Sequence, residues 1–396
     1  MPFLHPLLLI LGLLACAGCL TEPDRSYPDR RIVAEPTAPP PGPAVLLADP
    51  VPAAEPPNGL DRCLIFIPGV ETGSIEDALR WLDHVRRAGG YGCAILLDWQ
   101  AGNAWRRLLT PGVTAVGAEE FLDCLTWVRA RQADAVIDVL AHSGGTVVLT
   151  KAAAAAASPG LDLRHVLLLG TPHSAEDVVD PLLRQTAVVR NVWSRHDAIN
   201  RRLAAGDGRL PDLRDSPVHG NTEISSTIAG RPVRHETVLE DGPDMARHWG
   251  LFLSSGHLPQ PEPWVVGPVR IDGEDDLARL HRAVLALREQ PDTEQPALHA
   301  ALPTLLFHPD LEARAYAVMA VGLLKDIRFL PGLRRLLQDP ETPAWLRRTV
   351  YRAFGNLRLP ELVEDLRWAR EHDPANAVVT RDLLRELKRE RIEPQR

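Results

Sequence analysis

Short apolar runs alternate between residues 60 and 258 with longer segments in which apolar residues recur at helical spacing. The apolar runs lie within CLIFIPG, CAILLDW, AVIDVLAHS, HVLLLGTPH and AVVRNVWSRHD, and helical patterns between them include 76–88, 118–131 and 145–157. Strands and helices that alternate in this way indicate a parallel sheet with helices on both faces. Residues 60–258 are therefore predicted to form one α/β domain.

Helical periodicity alone continues after a proline-rich linker at 259–275. Helical segments pair up as 276–289 with 294–308, 310–325 with 329–338, and 343–357 with 360–371. Gly322 and Gly355 occupy equivalent places in the second and third pairs. Such helix pairs bury their apolar faces by stacking on one another. The pattern resembles the HEAT-type repeat, and it predicts an all-α repeat domain over 276–396, with a non-repetitive helical bundle as the alternative.

The N-terminal residues contain an apolar segment at 7–15 that has the length of a signal peptide and is short for a transmembrane helix. The small residues before Cys16 and Cys19 resemble a bacterial lipobox, so residues 1–19 are expected to be an export signal with a lipidated cysteine. An ordinary cleaved signal or a single membrane anchor is the alternative. The proline-rich residues 20–59 are expected to form a disordered tether.

Composition narrows the functional classes. The chain has 396 residues, of which 45% are hydrophobic, and a formal net charge of −8, which is enough apolar material for two domains. No basic stripe favours nucleic acid as a partner. The remaining cysteines, Cys63, Cys93 and Cys124, stand alone in apolar segments, which favours burial over metal binding. We expect neither a metal nor an organic cofactor.

A serine follows the apolar run VIDVLAH and precedes an alanine-rich helical pattern. Ser143 would therefore lie at a sharp turn from a strand into a helix, and the small residues Ala141 and Gly145 allow the strand and helix to approach closely. The sequence Ala-His-Ser-Gly-Gly resembles the G-x-S-x-G nucleophile elbow of the α/β-hydrolase fold, with alanine in the first place. The resemblance implies an α/β-hydrolase parallel sheet in which Ser143 is the nucleophile.

The same resemblance assigns roles to residues at other strand ends. The loop after CLIFIPG would supply a backbone N–H of Val70 to an oxyanion hole, together with that of Gly144. Asp197 follows a later strand and would be the acid that orients the catalytic histidine, since this fold uses the order Ser, Asp, His. An N-terminal helix cap is the alternative role for Asp197.

Four histidines follow Asp197: His219, His235, His248 and His257. We favour His248 as the catalytic base because its His-Trp-Gly-Leu segment resembles the His-x-Gly-Leu segment of lipase-like hydrolases. His235, within the predicted last strand 231–240, is the second candidate. His173, in GTPHS, is expected to be a structural residue or to lie at the rim of the site.

The expected activity is the cleavage of carboxylic esters, including lipids, through an acyl-enzyme on Ser143. Trp99 and Trp105 are candidates to line an acyl pocket, with packing at the rim of the core as the alternative. Acyl transfer by the same residues, or an inactive envelope scaffold that acts through its helical repeats, are the alternative functions. The expected partners are an ester or lipid substrate, a protein bound by the repeats, and a membrane through the N-terminal lipid. The expected location is the periplasm or the outer envelope.

Overall fold

Seven strands form a single sheet in the computed structural model of the chain. The strands are β1 (Ala44–Ala48), β2 (Arg62–Ile67), β3 (Cys93–Leu97), β4 (Val136–His142), β5 (Leu163–Leu169), β6 (Thr186–Trp193) and β7 (His219–Glu223). Their order across the sheet is β1-β3-β2-β4-β5-β6-β7. Every neighbouring pair is parallel except β1 and β3, which are antiparallel. The carboxyl ends of β2 to β7 therefore share one edge of the sheet, where ligands bind in parallel sheets.

The structure describes most of the chain beyond the N-terminal region. The described residues are 44–48, 60–69, 75–99, 113–156, 160–172, 179–198, 210, 213, 219–224, 226–228, 230–235, 239, 243–265 and 267–390. They all belong to one compact unit, Val33–Arg396, whereas the other unit, Met1–Ile32, lies outside them. The predicted signal peptide and almost all of the predicted tether are therefore outside the described residues.

Within the described residues, five helices follow strands of the sheet: α1 (Ile75–Gly89), α2 (Val113–Arg131), α3 (Gly144–Ala155), α4 (Asp180–Arg184) and α5 (Pro243–Ser255). Strand side chains alternate between the two faces, so β2 sends Ile65 into the core under α2 and α3, and its neighbour Phe66 into the core under α1 and α5. Both side chains are almost completely buried. Helices on both faces explain why β2 reads as a continuous apolar run.

The end of the sheet differs from the prediction. Among the described residues, the last strand is the polar segment His219–Glu223, which pairs in parallel with β6, and residues 231–235 of the predicted strand 231–240 form no strand. Pro232 forms only an isolated bridge with Ser226, because proline has no backbone N–H to continue a ladder. Backbone pairing at the sheet edge determines β7, and its sequence has no apolar alternation that would predict a strand.

The remaining described chain contains helices and two short 3₁₀ turns. The helices are α6 (Glu274–Glu289), α7 (Pro296–Leu305), α8 (Leu311–Leu324), α9 (Leu330–Gln338), α10 (Ala344–Leu357), α11 (Leu362–His372) and α12 (Ala377–Arg389). The even-numbered helices pack in a row, α6 on α8, α8 on α10 and α10 on α12, while α7, α9 and α11 each pack on the next helix in the chain. A Cβ at Gly322 in α8 would lie 3.0 Å from the Cα of Ala353 in α10, so glycine allows the close approach of these two helices.

The predicted fold class, a parallel α/β sheet followed by an all-helical region, is confirmed. The helical region shares one hydrophobic core, which is separate from the two cores of the sheet. The cysteines of the described chain, Cys63, Cys93 and Cys124, are buried, as predicted, and they form no disulfide. Within the described residues, no helix combines the length and the apolar character needed to cross a membrane.

Candidate active site

Ser143 lies at the corner between strand β4 and helix α3. Its φ and ψ are 49° and −122°, a combination that non-glycine residues rarely adopt. The corner is fixed by backbone contacts, because the Ser143 N–H donates to the oxygen of Leu169 at 2.9 Å and its own oxygen accepts from the N–H and the hydroxyl of Thr146 at 3.0 and 2.6 Å. The predicted strand-to-helix corner is thus present, with the serine at its apex.

Two glycines explain how neighbouring backbone comes so close to this corner. A Cβ at Gly145 would lie 2.1 Å from the backbone oxygen of Ile67 at the end of β2. A Cβ at Gly69 would lie 2.6 Å from the Cβ of Ser143. The loop that follows β2 therefore runs directly against the serine, which requires glycine at both positions.

The side chains of Ser143, His235 and Asp197 form a continuous hydrogen-bonded row. His235 Nε2 is 2.8 Å from Ser143 Oγ, and His235 Nδ1 is 2.8 Å from Asp197 Oδ2. An ionised Asp197 accepts from Nδ1–H, which leaves Nε2 as the acceptor for the serine hydroxyl. All three residues are buried, with exposed fractions of 7%, 7% and 2%. Of the four candidate histidines, His235 is the one that the structure places at Ser143.

The loop after β6 links the segments that carry Asp197 and His235. The N–H of Asp197 donates to the backbone oxygen of Ser194 at 3.0 Å, and the Ser194 hydroxyl donates to the backbone oxygen of Val233. Gly170, at the end of β5, has φ of 58°, and a Cβ there would lie 3.2 Å from His235 Nδ1. Ser194 and Gly170 were both missed at the sequence level. Of these two residues, only Gly170 has a recognisable sequence pattern, because it is a glycine directly after an apolar strand.

His142, the residue before the serine, contacts the backbone of His235. Its Nε2 is 3.1 Å from the His235 carbonyl oxygen, so this nitrogen carries the proton and donates. Burial, reinforced by the neighbouring His235, lowers the pKa of His142 to about 3. The His142 ring is therefore neutral at pH 7, and it orients His235 without adding a positive charge beside it.

The prediction that His248 lies beside Ser143 is wrong. His248 lies on α5, and its Nδ1 is 3.3 Å from His281 Nε2 on α6. With the proton on His248 Nδ1, that nitrogen donates to His281 Nε2. His281 Nδ1 then donates to the Tyr316 hydroxyl at 3.1 Å, and this hydroxyl donates to Glu312 at 3.4 Å. His248 thus belongs to a buried polar network between the sheet and the helical region.

Helix packing explains the His-Trp-Gly-Leu segment that suggested a catalytic role. Trp249 is fully buried, and a Cβ at Gly250 would lie 2.6 Å from the backbone oxygen of Val85, so glycine lets α5 approach α1. Burial, aided by the charge of Arg288, lowers the pKa of His248 to about 3. A histidine that stays neutral inside a helix interface is a packing residue.

The described part of the predicted oxyanion hole is Gly144, the first residue of α3. The first N–H groups of a helix have no partner within the helix and carry its positive dipole end. Val70, the other predicted donor, lies outside the described residues. Trp99 Nε1 donates to the backbone oxygen of Pro68 at 2.8 Å, directly before Gly69 in the same loop.

The described contacts of Trp99 favour packing in the core, the alternative given for this residue, over a role in an acyl pocket. Its side chain is buried in the core under α2 and α3, and a Cβ at Gly117 would lie 3.0 Å from its ring. A long, flat side chain fills this gap in the core, and its N–H reaches the loop beside Ser143. Trp99 therefore supports the loop after β2 from the core side of the sheet. Trp105, the other predicted pocket residue, lies outside the described residues.

The remaining candidates lie away from the serine or outside the described chain. His219 begins β7, and its Nδ1 accepts from the N–H of Val189 at 3.1 Å, while His257 is exposed after α5. His173, Cys16 and Cys19 lie outside the described residues. Across the described chain, no cluster of three His, Cys, Asp or Glu side chains has the arrangement of a metal site.

Comparison with known proteins gives distant structural likenesses. No family model and no curated protein matches the sequence. The crystal structure of Aspergillus fumigatus lipase B aligns with a TM-score of 0.36 and 15% identity, over 62% of this chain and 67% of that one. The crystal structure of the esterase domain of a Rhodothermus marinus protein aligns with a TM-score of 0.30 and 14% identity, over 50% and 86%. At these values, function is inferred from the geometry at Ser143.

Proposed function

We propose that the protein is a serine hydrolase that cleaves carboxylic esters through a Ser143-His235-Asp197 triad. The observation that carries the proposal is the pair of 2.8 Å contacts that join Ser143 Oγ to His235 Nε2 and His235 Nδ1 to Asp197 Oδ2. A serine hydroxyl is a weak nucleophile at neutral pH and needs an adjacent base that is itself oriented by a third group. These contacts supply both requirements.

Acylation begins when Ser143 Oγ attacks the carbonyl carbon of the ester while His235 Nε2 accepts the hydroxyl proton. The Asp197 carboxylate stabilises the imidazolium that forms. The negative oxygen of the tetrahedral intermediate is placed to accept from the N–H of Gly144 at the start of α3. His235 then gives its proton to the leaving alcohol, and the acyl group remains on Ser143.

Deacylation repeats these steps with water as the nucleophile. His235 accepts a proton from the water as its oxygen attacks the acyl carbon, and then returns the proton to Ser143 Oγ as the acid leaves. His142 contributes by staying neutral, since its pKa of about 3 keeps a second positive charge away from the His235 imidazolium. Its bond to the His235 carbonyl oxygen also limits the movement of the base.

The test combines a fluorophosphonate probe with hydrolysis of a short-chain p-nitrophenyl ester. We expect the wild-type protein to be labelled covalently at Ser143 and to hydrolyse the ester, and Ser143→Ala to lose both activities. Circular dichroism should be the same for the two proteins, which excludes unfolding as the cause. Folded wild-type protein that is neither labelled nor active would overturn the proposal and favour the scaffold alternative. Equal labelling of Ser143→Ala would place the nucleophile elsewhere.

We also propose that the helical region is a HEAT-like stack that binds a partner protein. The equivalent positions of Gly322 and Gly355, and the regular row formed by α6, α8, α10 and α12, support this proposal. Crosslinking in intact cells should capture one recurrent partner through an exposed position on this region, such as Trp368. A chain that crosslinks to nothing from this surface would contradict the proposal.

We further propose that the protein is exported and anchored in the envelope by a lipid on Cys19 or Cys16. The lipobox-like residues before these cysteines support the proposal. Metabolic labelling with a palmitate analogue should mark the wild-type chain. Replacement of the lipidated cysteine, by Cys19→Ala or by Cys16→Ala, should abolish the label and release the protein from the membrane fraction. A chain that is never labelled would contradict the anchor.

A further inference from the structure

The segment that leads into His235 contains a loop at 226–232, of which residues 226–228 and 230–232 are described, and which we call the docking loop. Ser226 and Pro232 form an antiparallel bridge, and the N–H of Thr227 donates to the oxygen of Arg231 at 2.7 Å. His235 follows Pro232 closely, so the position of this loop fixes where the histidine segment starts. The described contacts of the docking loop lead to the helical region.

Arg288, in the last turn of α6, binds the first half of the docking loop. Its Nη1 donates to the backbone oxygens of Ser226 and Thr227 at 2.9 and 2.7 Å. Hydrogen bonds from a charged donor are stronger than those between neutral groups. One side chain of the helical region thus holds two consecutive carbonyl groups of the loop.

Ile228, at the tip of the docking loop, is 1% exposed and is part of the hydrophobic core of the helical region. Burial of a large apolar side chain stabilises the contact that removes it from water. Gly230 faces the same region, since a Cβ there would lie 3.6 Å from Leu323. The tip is therefore anchored by apolar burial as well as by hydrogen bonds.

Arg231, on the returning half of the docking loop, lies over α10 at Gly355. A Cβ at Gly355 would lie 2.2 Å from Arg231 Nη2, so the absence of a side chain there makes room for the guanidinium. Nη2 donates to the backbone oxygen of Arg352 at 3.2 Å, and Nη1 is 3.5 Å from Glu386 on α12. The same Cβ position lies 2.8 Å from Leu383 on α12, so Gly355 serves helix packing as Gly322 does against Ala353, and the contact with Arg231 is the role that Gly322 does not share.

We propose that the helical region positions the catalytic histidine, with Arg288 and Arg231 as positioning residues that act through the docking loop. The proposal rests on the triad assigned above. The helical region holds the loop on one side of His235, while Ser194 and His142 hold Val233 and the His235 carbonyl on the other. Without the helical contacts, His235 loses its alignment with Ser143 although the triad residues are all present.

The first test measures kcat and KM for Arg231→Ala and Arg288→Ala in the full-length chain. We expect kcat to fall by about 10- to 100-fold with KM changed less than about twofold, since misalignment by about 1 Å affects the chemical step. Arg288→Lys should recover most of kcat, because its ammonium can still donate to both carbonyl groups. Unchanged kcat in both alanine variants would overturn the proposal.

A double-mutant cycle tests whether Gly355 acts through Arg231. Gly355→Ala alone should lower kcat as Arg231→Ala does, because the new methyl group displaces the guanidinium. In the Arg231→Ala background, Gly355→Ala should cause no further loss of kcat. Additive losses would show that Gly355 acts through helix packing alone and would contradict the proposed route to His235.

Gly322→Ala is the matched control, since it inserts the same methyl group at the equivalent position, against Ala353. It should lower the melting temperature and leave kcat within about twofold, in keeping with an effect on packing alone. A loss of kcat in this control as large as that in Gly355→Ala would assign both effects to general instability and would overturn the proposal.

Hydrogen exchange separates this proposal from the proposed activity. The amides of Thr227 and Gly230, which donate within the docking loop, should exchange faster in Arg288→Ala than in wild type, whereas the amide of Ser143 should not. This result is expected even if the protein has no esterase activity. If the wild-type protein is labelled by the probe, but the arginine variants show unchanged hydrogen exchange and unchanged kcat, the positioning role is overturned and the proposed activity stands.

Discussion

The two halves of the proposed triad are held in different ways. Ser143 lies between a strand and a helix that adjoin it in the chain, and the glycines at 69 and 145 let the end of β2 pack against it. His235 ends the described stretch 230–235, which contains no helix and no strand beyond an isolated bridge. Its position depends on contacts from β4, from the loop after β6 and, through the docking loop, from the helical region. The serine corner is a local structure, and the histidine segment is a tertiary one.

This difference has a consequence for mutation. A local corner is stabilised by backbone geometry, so damage to it is expected to affect folding. A segment held by side chains from distant parts of the chain can shift while the core remains intact, so damage to it is expected to affect the rate of reaction first. The following predictions test this contrast, in order of expected effect.

The largest expected effect separates the two histidines. His235→Ala should lower kcat by about 10⁴-fold or more, because the base that accepts the serine proton is lost. His248→Ala should leave kcat within about threefold but lower the melting temperature, since His248 is buried in a network between α5 and α6. Initial rates at saturating ester and thermal melts measure both. The reverse pattern would return the catalytic role to His248.

Damage to the serine corner should appear as lost stability. Gly145→Ala places a methyl group 2.1 Å from the backbone oxygen of Ile67, so the free energy of unfolding should fall by about 3 kcal/mol or more. Gly273→Ala is the matched control, because no atom lies within 4 Å of the place that its new methyl group would take. Urea titrations compare the two variants. Equal stability of Gly145→Ala and wild type would show that β2 can move away from α3.

Substitutions that weaken the contacts of the His235 segment should lower kcat. His142→Phe keeps an aromatic ring but removes the donor to the His235 carbonyl oxygen, and kcat should fall by about 10- to 100-fold with KM little changed. His142→Gln, whose amide can donate at a similar place, should recover part of this loss. Wild-type kcat in His142→Phe together with a loss of kcat in His142→Gln would show that ring shape, and not the hydrogen bond, matters.

The smallest expected effect is a dependence of stability on pH. The pKa of His248 is lowered from 6.5 to about 3 in the folded chain, so between these values the unfolded chain binds a proton that the folded chain does not. Stability should therefore fall as the pH falls from 6.5 towards 3. Thermal melts of His248→Gln should show a weaker fall in melting temperature between pH 7 and 4.5 than wild type, by about 2 °C or more. His257→Gln, at an exposed site, should follow wild type.

A second acid-sensitive group lies in the same network and should act at lower pH. Burial alone would raise the pKa of Glu312, but the His84 imidazole, whose Nδ1 is 3.4 Å from Glu312 Oε2, and the charge of Arg247 outweigh it and lower the value from 4.5 to about 2. Its contribution is complete above pH 4.5 and is lost as the pH falls towards 2. His248→Gln should therefore still lose stability below pH 4.5. A variant that stays stable there would contradict a stabilising ion pair between Arg247 and Glu312.

Sequence reasoning recovered the features that local patterns determine. The strands β2 to β6, the helices between them and the helical region follow from apolar periodicity, and the Ser143 corner follows from small residues at a strand-to-helix junction. The role of Asp197 came from the resemblance to α/β-hydrolases, in which the acid follows a later strand, and the structure brings this residue to His235. The strands, the helices and the serine corner each needed only a few neighbouring residues.

The failures concern contacts between residues that are far apart in the chain. His235 has no local pattern around it, whereas His248 has one that helix packing explains, so the wrong histidine was preferred. The edge strand β7 is polar because only its backbone is needed for pairing. Trp99 looked like a pocket residue because a buried aromatic and a pocket-lining aromatic have the same sequence signal.

The burial of Ile228 bears on how this chain can be divided. The sequence suggests a boundary at the 259–275 linker, but the side chain at the tip of the docking loop completes the core on the far side of that boundary. A recombination breakpoint at the linker would leave a cavity in one product and an exposed isoleucine in the other. A chimera that exchanges the helical region must therefore carry residues 226–232 with it, although they precede the linker.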